Sequence, residues 1–172
     1  MFERLCHSGC VPVITLEQQH RMPACIASFP SAQYYGSILL TPNRTLRAAP
    51  SGYSWPTTDP ICFINVNGRG ESQDGTSIYN YDEAAAVVKA VSWILADPDD
   101  VDANDIVILT PYNRQVQEIN MHLEHNGLQV REVCSVDKFQ GSEADIIFGP
   151  QCAATRLASS VSSTIRRDSM WP

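Results

Sequence analysis

The stretch that decides the fold is Asp105-Ile-Val-Ile-Leu-Thr-Pro-Tyr112, followed by Asn113 to His125, Gly127 and Val130 to Val136. Asp105 to Leu109 is an apolar run bounded by Asn104 and Pro111, the signature of a buried strand. Asn113 to His125 is amphipathic, with Val116, Ile119 and Leu123 on one helical face, and Gly127 is a natural stop. Val130 to Val136 reads as the next strand and Ala144 to Phe148 as another. Upstream, Asp82 to Leu95 carries Ala84, Val87, Val88, Val91, Ile94 and Leu95 at helical spacing, opened by Asn80 and Glu83 as cap and first-turn acid. Asp97 to Asp102 is an acidic turn. Strands that alternate with helices predict an α/β fold, a three-layer arrangement in which helices cover both faces of a parallel sheet.

Towards the start the signals thin out. Ile61 to Val66 and Val11 to Leu16 read as short strands. Asn67 to Ser77, glycine-rich and polar, reads as a loop, as does Thr41 to Pro60 with four prolines. Arg21 to Tyr35 suits one or two short helices, with Pro23 tolerated near the start and Pro30 dividing the segment. In parallel sheets ligands sit beyond the carboxyl ends of the strands. The segments placed there are Gln18 to Met22, Thr110 to Tyr112 and Asp137 to Glu143.

The 172 residues fit one domain, and their net charge of −7 includes no basic stripe. Any contact to nucleic acid must then rest on a few local groups, with a partner domain supplying more. No run approaches the ~20 apolar residues that span a bilayer, so no membrane is expected. Met1 to Cys10 carries Glu3 and Arg4 without an apolar core, unlike a signal peptide. The expected setting is the cytoplasm or nucleus. Of six cysteines, Cys6 and Cys10 flank His7, but no second close pair completes a tetrahedral metal site. Cys62 and Cys134 stand singly. Free thiols and no metal site are expected.

Three segments carry a resemblance. The first is Leu16-Glu-Gln-Gln-His-Arg-Met22 with Ile26, Phe29-Pro-Ser31 and Tyr34-Tyr35, preceded by Met1-Phe-Glu-Arg-Leu5. The second is Ser77, Asn80, Glu83-Ala84, then Asp105 to Tyr112 and Gln115-Val116. The third is Ser135-Val-Asp-Lys-Phe-Gln-Gly-Ser-Glu143 with Ala144-Asp-Ile-Ile147. In order and spacing they resemble the second RecA-like domain of superfamily 1 helicases of the nonsense-mediated-decay type, the third segment being similar to helicase motif V. The resemblance covers residues 1 to 148 and implies a RecA-like P-loop NTPase fold, its second domain, incomplete at the C-terminus.

The same resemblance implies roles. Arg21 matches the arginine that reaches a γ-phosphate across a cleft, where an arginine is typically worth about 10³–10⁵ in rate. His20 replaces the tyrosine that stacks on adenine, and Gln19 is its nucleotide-side neighbour. Gly141 permits close backbone approach, and the Glu143 carboxylate can accept from a ribose hydroxyl. Gln140 joins the cleft to the nucleic-acid side. Ser135, where relatives have threonine, suits a backbone phosphate contact that carries position rather than sequence. Thr110, Pro111 and Tyr112 form the turn that lies along the bound strand. The implied partners are single-stranded RNA or DNA and an N-terminal RecA-like domain, which would hold most of ATP with Mg.

The phosphate-cradling G-x-x-x-x-G-K-S/T loop and the magnesium-holding acidic motif do not occur. The glycine-rich stretch Gly68-Arg-Gly70 to Gly75-Thr76 lacks the lysine. The final phosphate-contacting arginine motif of the family is missing too, so the chain alone is expected to show no ATPase. From Gly149 the sequence departs from the family. Met170-Trp171-Pro172 must be encoded ATG TGG CCN, which shifted by one base can read Asn-Val-Ala-Leu, as the family does. The codons of Gly149 to Thr155 and Ser162 to Ile165 tolerate the same shift. Residues 149 to 172 are therefore expected to be an out-of-frame or disordered tail, an expectation that sequencing of the coding DNA decides. Two other classes remain open: a non-catalytic remnant serving as a protein-interaction module, and an unrelated doubly wound enzyme, for which no acid–base pair converges at the strand ends.

Overall fold

A computed structural model describes residues 2–9, 12–42, 50, 55, 60–66, 72–74, 77–97 and 99–150. The expected loop at Thr41 to Pro60 lies largely outside these residues, as does the proposed tail from residue 151 onward. The chain divides into two compact units, the first of residues 1–49 and 55–62, the second of residues 50–54 and 63–172.

In the first unit, helix α1 spans Phe2–His7 and helix α2 spans Ala24–Tyr34. Pro30 lies inside α2 and does not divide it as expected. A proline removes one N–H donor, here the one that would reach Ile26, and the turns on either side carry the helix past it. The end of α2 is closed by the Tyr35 and Ser37 amides, which both donate to the Ser31 carbonyl, at 3.0 and 2.9 Å. The strand expected at Val11 to Leu16 does not form over the described residues 12–16. What remains is one parallel bridge between Gln18 and Leu40. A strand exists only through a neighbour's hydrogen bonds, and apolar composition alone supplies none. Ile61 to Val66 fails as a strand for the same reason, with Phe63 95% exposed.

The second unit begins with an antiparallel hairpin, β1 (Ser72–Asp74) against β2 (Ser77–Tyr79), pairing Ser72 with Tyr79, Gln73 with Ile78 and Asp74 with Ser77. This corrects the reading of Asn67 to Ser77 as plain loop at residues 72–74 and 77, the rest of that stretch lying outside the described residues. Helix α3 (Tyr81–Ile94), strand β3 (Ile106–Thr110), helix α4 (Asn113–His125), strand β4 (Glu132–Ser135), the single turn α5 (Val136–Phe139) and strand β5 (Ile146–Phe148) follow. The three later strands form a parallel sheet in the order β4-β3-β5.

Alternation along β3 sends neighbouring side chains to opposite faces. Ile106 and Ile108 pack with Ala84, Val88, Val91 and Ile94 of α3 and Ile119 and Leu123 of α4. Val107 packs on the other face with Cys134 and Phe139. Burying such a branched side chain contributes about 1.5–3 kcal/mol, so the first cluster is the main anchor of the unit. The fold is the expected α/β parallel sheet with helices on its faces, consistent with a RecA-like domain.

Candidate functional site

The expected site residues fall into two groups, one in each unit. In the first unit the Gln19 amide donates to the Leu40 carbonyl at 3.0 Å, and the Leu40 amide donates to Glu17 at 2.7 Å. That pairing anchors the turn from Gln19 to Met22. The Gln19 side chain then shapes it. Its Oε1 accepts from the backbone N–H groups of Arg21 at 2.9 Å and Met22 at 3.0 Å. Its Nε2 donates to the Met22 carbonyl and to the Thr41 hydroxyl, each at 2.6 Å. A glutamine amide offers two donors and two acceptor lone pairs, and all four are engaged within the unit. Gln19, expected at a nucleotide, is placed as the organiser of the turn. The two residues it leaves presented to solvent are His20 and Arg21, both exposed.

In the second unit the sheet creates the site. Thr110 and Ser135, the last residues of β3 and β4, are register partners. α4 leaves β3 on the Ile106 and Ile108 face, while α5 leaves β4 on the face of Val107. The helices that follow these adjacent strands thus depart on opposite faces, and in parallel sheets ligands sit beyond the carboxyl ends of the strands. Thr110 and Ser135 stand side by side at this edge of the sheet, with Pro111-Tyr112 following β3 and Gln140-Gly141 following α5.

Ser135, half-buried, caps α5 by accepting from the Lys138 amide at 3.4 Å. Gln140, Gly141 and Glu143 are exposed. Gly141 has φ +89°, a left-handed conformation that favours glycine, and the Ser142 amide closes the turn on the Phe139 carbonyl at 2.9 Å. The Glu143 carbonyl accepts from the Arg131 guanidinium at 2.9 Å, which pins its backbone. Thr110 behaves differently from the expectation of a strand-holding hydroxyl. It is 0% exposed, and its Oγ1 meets no hydrogen-bond partner among the described residues. Pro111 is exposed and Tyr112 half-buried, so this turn presents those two side chains rather than Thr110.

Two groups on and just after β4 are shifted from their ordinary values. The Glu132 carboxylate accepts from the Lys138 amine at 2.7 Å and holds that amine's pKa above its usual value. Burial pushes the Cys134 thiol up, and the Glu132 charge adds to it. Among the described residues no three His, Cys, Asp or Glu side chains converge to hold a metal ion. No described helix is long and apolar enough to cross a membrane.

Sequence reading missed the polar groups behind the Thr110–Tyr112 turn. Gln115 is 0% exposed. It accepts from the Asn80 amide at 2.7 Å and donates to the Asn80 carbonyl at 3.2 Å. Asn80 in turn caps α3 by accepting from the Glu83 amide at 3.1 Å. Ser77, Asn80 and Gln115 belong to the second segment that carries the family resemblance, but nothing local shows that they meet.

Residues 1–155 match the AAA_12 family model, described as an AAA domain. The chain is 37% identical to the ATP-dependent helicase NAM7 of Saccharomyces cerevisiae, over 86% of this chain and 16% of that protein. It is 36% identical to Regulator of nonsense transcripts 1 of Dictyostelium discoideum, over 86% of this chain and 12% of that protein. Against ATP-dependent helicase upf1 of Schizosaccharomyces pombe the identity is 33%, over 86% of this chain and 17% of that protein. The chain thus spans less than a fifth of the length of these relatives.

Proposed function

The chain belongs to the AAA_12 family of AAA domains, within the superfamily 1 helicases of the nonsense-mediated-decay type, and from that premise we propose that it is the second RecA-like half of an ATP-dependent helicase acting on single-stranded RNA or DNA in the cytoplasm or nucleus. The observation that carries the reading is the pair of presented turns. One offers Arg21 to solvent on a backbone fixed by Gln19. The other lies beyond the carboxyl ends of β3 and β4.

In this reading Arg21 meets the γ-phosphate of an ATP whose phosphates and magnesium are held mainly by the N-terminal RecA-like domain, and so stabilises charge as the phosphoryl group departs. His20 stacks on the base with less area than a tyrosine. Gln19 acts through the turn it organises. Glu143 accepts from the ribose, and Gly141 lets the backbone approach closely. Along the nucleic acid, Ser135 contacts a phosphate and Pro111 and Tyr112 line the strand, with Thr110 beneath them and Gln140 linking the two sides.

A labelled single-stranded oligonucleotide titrated against the full chain tests this. Weak binding that falls with added salt is expected, because only a few phosphates are contacted. Absence of binding at low salt, together with no gain in ATPase when the chain is added to a separately expressed N-terminal lobe, would overturn it. A second reading, a protein-interaction module, is favoured by exposed apolar side chains in the first unit, Ile14 at 86%, Leu16 at 84% and Phe29 at 70%. It predicts a protein partner and no effect of Ser135→Ala on oligonucleotide binding.

A further inference from the structure

The start of α4 departs from the ordinary chemistry of helix N-termini. The first N–H groups of a helix lack intrahelical partners, and Ser, Thr, Asp or Asn at the N-cap normally accepts from one of them. α3 follows the rule with Asn80. At α4 the N-cap is Tyr112, which has no side-chain oxygen in reach and makes no capping hydrogen bond. The amide that a cap would serve, that of Arg114, instead donates at 3.2 Å to the Ser77 hydroxyl, 37 residues upstream on β2. One residue further on, Gln115 is wholly buried and grips the Asn80 peptide through both its donor and its acceptor. The Arg114 guanidinium lies 4.7 Å over the Tyr79 ring, so contacts from two consecutive residues tie the start of α4 to β2 and to the start of α3.

Such an arrangement is costly to set up. Burying an amide is tolerable only when its hydrogen bonds are made, and the same contact area could have been filled by an apolar side chain. What it achieves is local. With capping delegated to Ser77, position 112 is released from being a short polar residue and carries a half-buried aromatic ring just beyond the carboxyl end of β3. The turn that bears the ring is also held at both ends, by β3 on one side and by the clamped α4 on the other.

We infer that Ser77 and Gln115 are positioning residues: Ser77 caps α4 from outside its own sequence and Gln115 fastens the first turn of α4 to the Asn80 backbone, so that the N-cap position can present Tyr112 as a stacking platform for a base of single-stranded nucleic acid. This rests on the proposed helicase reading for the identity of the ligand, but not for the capping.

The test is a double-mutant cycle in the full chain, with thermal melting and fluorescence anisotropy on a labelled oligo-uridine. Ser77→Ala alone should lower the melting temperature by about 2–6 °C. In a Tyr112→Ser background, where a local cap is available again, the same change should cost little. Tyr112→Ser should raise the melting temperature yet weaken oligo-uridine binding at least about fivefold, the loss of one base stack. Tyr112→Phe should bind as the native chain does. Gln115→Glu provides a second readout that simple packing would not move. A neutral carboxylic acid can replace both bonds to Asn80, so its stability deficit should shrink as pH falls and the buried acid protonates, whereas Gln115→Met should show no such recovery. An equal cost of Ser77→Ala in both backgrounds, or unchanged binding by Tyr112→Ser, overturns the inference. Failure of the native chain to bind oligo-uridine overturns the nucleic-acid reading itself, and the melting cycle still decides whether the cap is external.

Discussion

Two glutamines hold the two candidate turns, and they do so in opposite ways. Gln19 sits half-buried at the surface of the first unit and spends its amide on Arg21, Met22 and Thr41. Gln115 is completely buried in the second unit and reaches a peptide 35 residues away. Behind the Gln19 turn, α2 buries only Ala27 and Ser31 among its described residues. Behind the Gln115 turn stands a continuous apolar cluster from α3, β3 and α4. The difference separates two kinds of support. A local clamp gives a turn its shape without tying it to a core, which suits a side chain that must meet a ligand carried by another domain. A long-range clamp ties the start of α4 to the start of α3 and so to the core behind them.

The contrast can be broken most forcefully at the core. Ile108→Ala should destabilise the second unit by about 2–5 kcal/mol, read as a lower urea midpoint. Phe29→Ala, at a 70% exposed position of α2, should cost less than about 0.5 kcal/mol. Comparable costs would mean that the first unit has a core of its own. Next in size, Gln19→Ala should leave the urea midpoint nearly unchanged while the Arg21 and Met22 amides exchange roughly five- to tenfold faster, the worth of about 1 kcal/mol per hydrogen bond. Loss of global stability instead would show that this clamp, too, is coupled to a core.

The smallest expected effect concerns thiol chemistry. Cys134 is 2% exposed and its pKa is raised by burial and by Glu132. Because the thiolate is the reactive form, iodoacetamide near neutral pH should label Cys134 more slowly than Cys6, Cys25 or Cys62, which are half-buried. Labelling of Cys134 at the same rate would indicate that the β3–β4 region opens readily.

Much of the second unit was legible because its signals are local. Asn113 to His125 carries its helical stripe and its glycine stop within the segment, and α4 occupies those residues. β3, β4 and β5 are apolar runs with turn residues at their ends, and each forms within the expected range or one residue from it. Val11 to Leu16 has comparable composition and forms no strand over its described residues, because strand formation depends on a neighbour that no local pattern specifies. At the sites, the exposure of Arg21 and the left-handed glycine at 141 follow from residue type and position. The burial of Thr110, the four-way engagement of Gln19 and the reach of Ser77 and Gln115 to their partners could not be read, since each is set by what folds against it.

The central claim is that Arg21 completes a nucleotide site whose phosphate-binding part lies in another domain. Steady-state ATP hydrolysis by the full chain mixed with a separately expressed N-terminal RecA-like domain, with native Arg21 against Arg21→Ala, tests it most directly. The account predicts hydrolysis above that of either part alone and its loss by about 10³-fold or more in the variant, with the melting temperature unchanged. Equal hydrolysis by the two forms would contradict it.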